Sequence, residues 1–188
     1  MMNGRYLTRR YDRQHGVALL TGLIFMVVLT LLGITAARMA GLEERMSGNM
    51  RDRSLAVQAA EMALRDAEQD IRKSGRVSGI TNFVSACTNG LCYNGPNGNK
   101  NAVNWNTTPV WSLVSMTAAP SVAYSDFTTA PFIPGLSAQP RYLIEGIEKM
   151  CWTPTTCDGV KTPGYRITVR AQGANPNTVV WLQEVFKP

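Results

Sequence analysis

Between Gly16 and Arg38 no charged residue interrupts the chain: Val17 to Ala37 is apolar apart from three threonines and two glycines. As a helix this run spans about 30 Å at roughly 1.5 Å per residue, the thickness of a bilayer's hydrocarbon core. Arg5, Arg9, Arg10 and Arg13 precede it, and polarity returns at Arg38. A segment committed to lipid leaves the rest of the 188-residue chain room for one modest globular domain.

Charge fits that division. Half of the formal +6 sits in the leader, where four arginines stand against Asp12; arginines beside a membrane span stay cytoplasmic. The remainder is a mixed surface without Lys/Arg clusters interleaved with aromatics, so no nucleic-acid partner is indicated. Everything after Ala37 is then expected in the periplasm, where disulfides persist. Cys87, Cys92, Cys151 and Cys157 all fall on that side. A cleaved secretory signal has a shorter apolar run and an A-x-A-like end, which Ala36-Ala37-Arg38 does not match.

Four divisions follow: a leader over 1–16, a transmembrane helix over 17–37, an amphipathic helical stalk over 38–74, and a globular β domain over 75–188. No proline occurs before Pro96, and residues 54–74 are rich in Ala, Leu, Glu, Gln, Arg and Met, good helix formers. Val57, Ala60, Leu64, Ala67 and Ile71 form an apolar stripe at spacings of 3 and 4. Glu61 with Arg65, and Glu68 with Arg72, are spaced as i,i+4 pairs. Arg72, Lys73 and Gly75 end the helix. Arg38 to Arg53, with Met39, Leu42, Met46 and Met50 only loosely aligned, cannot bury a wide face in its own chain and is expected to meet other subunits.

Residues 88–107 hold seven Asn and three Gly together with Pro96 and read as a long loop. Trp105, Trp111 and Leu113 are expected beneath it. Residues 117–140, with four prolines, read as irregular. Strands are predicted at Arg141–Glu148, at Tyr165–Gln172 and at Thr178–Phe186. In the second of these Tyr165, Ile167, Val169 and Ala171 alternate with Arg166, Thr168, Arg170 and Gln172, a sheet with one wet face. Gly173-Ala-Asn-Pro-Asn177 supplies the turn. The fold class is α+β: a long N-terminal helix whose second half covers a C-terminal antiparallel sheet with long irregular loops.

No catalytic residue is predicted. The single histidine, His15, lies in the leader, so no His-dependent triad, base or zinc site forms outside. Cys87-x4-Cys92 and Cys151-x5-Cys157 lack redox or zinc spacing. Of three possible pairings the local one, Cys87–Cys92 with Cys151–Cys157, is favoured because each pair brackets turn-rich residues. Asp126 and Asp158 stand without neighbouring carboxylates, so no calcium loop is read. No metal or cofactor is expected.

The leader, the glycine before the run and the amphipathic continuation together resemble the N-terminal part of type IV pilins, and within them the PilX-type minor pilins. Arg13-Gln-His-Gly16-Val-Ala-Leu-Leu20 resembles their processing site. Gly41-Leu-Glu-Glu-Arg-Met-Ser-Gly-Asn-Met-Arg-Asp-Arg53 and Ala59-Ala-Glu-Met-Ala-Leu-Arg-Asp-Ala-Glu68 resemble their helix signature. Tyr165-Arg-Ile-Thr-Val-Arg170 and Thr178-Val-Val-Trp-Leu-Gln183 resemble their last strands. The resemblance covers residues 14–74 and 141–186.

It implies cleavage by a prepilin peptidase after Gly16, methylation of the new amine on Val17, storage in the inner membrane, and transfer into a pilus. The implied partners are that peptidase, other minor pilins, the major pilin, the inner-membrane assembly platform and a large tip adhesin of the PilY type. Typical pilins carry Glu at the fifth mature position, where it meets a neighbour's amine; here Thr21 stands there. A buried ion pair lacking one partner is unfavourable by several kcal/mol, whereas the first subunit of a filament has nothing above it to dock onto. The tip pseudopilin of type II secretion is similar in lacking that glutamate. The expectation is a minor pilin that primes assembly at the pilus tip. A type II secretion pseudopilin and an uncleaved single-pass anchored periplasmic binding protein are the alternatives.

Overall fold

The computed structural model describes residues 16–84, 87–93, 112, 114–150 and 162–188. Trp105, Trp111, Leu113, Cys151, Cys157 and Asp158 lie outside them. A single helix, α1 (Val17–Lys73), is followed by a 3-10 turn (Thr88–Gly90) and five strands: β1 (Leu91–Tyr93), β2 (Val122–Ala123), β3 (Arg141–Met150), β4 (Thr162–Gln172) and β5 (Val179–Phe186). The chain divides into two compact units at Gly48/Asn49.

In the first unit every described residue from Gly16 to Gly48 is helical or adjoins the helix start, and all are exposed. Among the described residues, this segment buries no side chain against the rest of the chain. It stays helical on propensity and backbone hydrogen bonds, a combination marginal for isolated helices in water and stable in lipid, where backbone groups must be satisfied internally.

The second unit is a sheet in the order β1-β3-β4-β5, with β2 also on β3. β3, β4 and β5 form the expected antiparallel meander, with Ile144 opposite Ile167 and Val169 opposite Leu182. Two strands were not legible in advance. β1 pairs with β3 in parallel and β2 pairs with it antiparallel, so the sheet is mixed.

One face of the sheet presents Tyr142, Ile144, Tyr165, Ile167 and Val169 to α1. Because these side chains are large, the helix answers with small ones: Ala56, Ala59, Ala60, Ala63 and Ala67, with Leu64 and Ile71, are buried. The stripe is therefore wider and more alanine-rich than the five positions read from spacing, and Val57 lies at its half-buried margin. Phe83 completes this core by stacking on Tyr165 at 5.7 Å; its ring lies so close to Gly146 that a Cβ there would meet it at 2.8 Å. The helix ends at Lys73, and Gly75 takes a φ of +74°, the left-handed conformation that glycine adopts without steric cost.

The other face departs from expectation. Arg166 and Thr168 are buried, not wet. Register places Glu145 opposite Arg166, and the two form a bidentate ion pair through Nε and Nη2, so the charge is neutralised on the sheet itself. Leu143 on the same face packs with Cys87, Cys92 and Met116 in a second small core. Cys87 and Cys92 are joined by a disulfide.

The ion pairs on α1 also differ from the i,i+4 scheme. Arg65 pairs with Glu68 at 2.7 Å, and Arg72 lies over the Phe186 ring, 4.8 Å from its centroid. The sheet edge offers Arg72 a ring face, a contact no local spacing encodes.

Candidate functional site

The residues singled out for processing and assembly lie at the start of α1. Gly16 is exposed, and its carbonyl accepts the Leu20 N–H at 3.4 Å. Val17 is the first helical residue. Thr21 Oγ1 donates to the carbonyls of Val17 and Ala18, at 2.9 and 3.1 Å. Thr30 and Thr35 do the same, to Val27 and Leu32, at 2.8 and 2.9 Å. Each hydroxyl in the apolar run is thus satisfied within its own turn, the local back-bonding open to threonine. None asks for a partner in lipid. α1 is long and apolar enough to cross a membrane.

The second unit holds its part of α1 through three aspartates that spacing did not reveal. Asp52 Oδ1 accepts the N–H groups of Ala174 and Asn175, at 2.6 and 3.3 Å, in the β4–β5 turn. The Thr178 hydroxyl first, and these backbone donors after it, hold the Asp52 carboxyl below its ordinary pKa against an opposing effect of burial. Gly173 lies against that carboxylate with no room for a Cβ.

Asp66 and Asp70, one turn apart, are both buried. Asp66 accepts the Ser125 N–H at 2.8 Å and the Thr128 hydroxyl. Asp70 accepts from Arg76 through Nε at 2.7 Å and through Nη2, and from the Tyr142 hydroxyl at 2.8 Å. Burial first, and the Asp70 charge second, push the Tyr142 hydroxyl well up, so it remains a donor at any physiological pH. Arg76 also donates to the Asn89 carbonyl at 2.7 Å and lies over the Phe127 ring. One buried carboxylate thereby ties helix, connection and sheet together. A signal existed: Asp66 and Asp70 stand beside Ala63 and Ala67 at helical spacing, positions that a buried alanine face also includes.

A carboxylate pair of opposite character lies at β5. Burial first, then the neighbouring Glu68 carboxylate, push Glu184 above its ordinary pKa. Its Oε1 is buried and accepts no hydrogen bond. Among the described residues no group of three His, Cys, Asp or Glu could hold a metal.

A model of the PilX N-terminal region matches residues 15–65, and a model of the C-terminal region of the type IV pilus assembly protein PilX matches residues 88–188. The chain belongs to the PilX family of type IV pilus assembly proteins. No curated protein and no solved structure matches it. The N-terminal match takes in Gly16, the whole apolar run and Asp52; the C-terminal match takes in all five strands and the disulfide loop from Thr88 to Cys92, starting one residue after Cys87. Between them lie Asp66, Asp70 and Arg76, which together with Asp52 fasten this PilX-family helix to its domain.

Proposed function

We propose that the chain is a minor pilin that primes type IV pilus assembly at or near the pilus tip. A prepilin peptidase cleaves after Gly16, the amine of Val17 is methylated, and the apolar run holds the protein in the inner membrane with its C-terminal domain in the periplasm. The run then leaves lipid for the helices of neighbouring subunits. The partners in this reading are other minor pilins, the major pilin, the assembly platform and a large tip adhesin of the PilY type.

One observation carries the placement. At the position where pilins use a carboxylate to meet a neighbour's amine, Thr21 offers only a hydroxyl, and that hydroxyl is spent on its own helix. It has no charge to neutralise an ammonium in an apolar filament core, where an unmatched charge costs several kcal/mol. A subunit with nothing above it incurs no such cost. Gold labelling of the C-terminal domain on intact pili tests the placement: label confined to filament ends supports it, and label spread evenly along shafts overturns it.

A further inference from the structure

Just beyond the apolar run, α1 carries an apolar seam with opposite charges on its two flanks. Met39, Leu42 and Met46 are 61, 65 and 66% exposed. At 3.6 residues per turn they fall within an arc of about 60°, a closer alignment than their bare spacing suggests. With Met39 and Met46 at a positions and Leu42 at d of a heptad, Arg38 and Arg45 take g on one flank and Glu43 takes e on the other. Among the described residues none of these three charges forms an ion pair within the chain, and Arg38 and Glu43 lie too far round the helix to meet each other.

Membrane anchorage decides which second helix such a seam fits. Copies of one chain inserted by the same leader arginines are parallel, and their identical apolar runs sit at the same depth, so they meet in register. In a parallel in-register pair a g residue faces the e residue of the following heptad in the other helix. Arg38 of one copy then faces Glu43 of the partner subunit, and twofold symmetry repeats the contact.

We propose that residues 38–46 form a parallel seam between two copies of this chain in the membrane, closed by reciprocal Arg38–Glu43 pairs. Met39 and Met46 supply pliable thioether packing, and Leu42 forms the central layer. The seam is short, so the pair separates readily when a copy leaves for a filament. The proposal rests on the membrane-anchored reading above and is independent of tip placement.

The test uses the full chain in membranes with a photo-crosslinking residue in place of Met46, comparing the native seam with Arg38→Glu, Glu43→Arg and the double exchange. Each single reversal sets like charges together and is expected to lower the crosslinked dimer about tenfold; the double exchange restores it. The four leader arginines keep the insertion unchanged in all forms. Equal dimer in all four forms, or adducts only with a different pilin, overturns the proposal. N-terminal masses from the same samples separate the two readings: a Val17 start without dimer sinks the seam alone, and dimer with an intact leader sinks the processing step alone.

Discussion

The two stretches of α1 obey the same helical geometry and stand in opposite relation to their own chain. From Val17 to Gly48 no residue is buried, and the threonine hydroxyls bond only to their own turn. From Ala56 to Ile71 the helix buries an alanine face and two carboxylates against its domain. In the proposed function the first stretch exchanges surroundings, whereas the second keeps the contacts it has in the fold. Large apolar residues suit lipid or a changing set of helices. Alanines and fixed aspartates suit one sheet of one shape.

The contrast breaks most visibly at Asp70. Replacing it with Ala strands the Arg76 guanidinium and the Tyr142 hydroxyl, and is expected to cost about 3–5 kcal/mol, read as urea unfolding of the detergent-solubilised chain. Glu44→Ala in the exposed stretch should change the same midpoint by no more than about 0.5 kcal/mol. Similar losses for both would erase the distinction.

Volume gives the next largest difference. Ala63→Leu overfills a fully buried position and should cost about 1–3 kcal/mol. Gly48→Ala adds a Cβ that meets nothing and should raise helix stability by about 1 kcal/mol. Melting followed by circular dichroism would show the two shifts with opposite signs.

Titration distinguishes Asp52 from the Glu68–Glu184 carboxylate pair within the second unit. The Asp52 carboxyl is lowered in the fold, so its contribution is complete above its unfolded pKa and is lost as pH falls through the folded one. Asp52→Asn should flatten the acid limb of the stability curve. Glu184 is raised, so the native state holds its proton longer, and stability falls as pH climbs from the unfolded value to the folded one. Glu184→Gln should remove that decline. Unchanged profiles would contradict both assignments.

The smallest effect is expected at Thr21. Thr21→Val removes a hydroxyl that only bonds back to its own helix, so the amount of protein recovered in sheared pili should match the native chain. A large loss would mean the hydroxyl itself has a partner in the filament.

Much of this architecture was legible because long periodic patterns are robust: the helix to Lys73 and the β3–β4–β5 meander follow from spacings of 3.6 and 2. What was hidden has a common physical cause. Arg166 reads as a surface residue until register sets Glu145 opposite it, and Asp66 reads as a surface acid until Ser125 and Thr128, about sixty positions away, fold onto it. Buried charge depends on a partner distant in sequence, and no local period reports one. β1, three residues long, is too short to show a period. Gly16, Val17 and Thr21 were recognisable as a group only through resemblance to pilins, since a glycine and a threonine beside an apolar run carry no chemistry alone.

The central claim is that the first stretch of α1 is cut at one end and reused outside the membrane. The N-terminal mass of the protein recovered from sheared pili tests it most directly. A chain beginning at a methylated Val17 is the predicted result; a chain in that fraction retaining Met1 to Gly16 would contradict it.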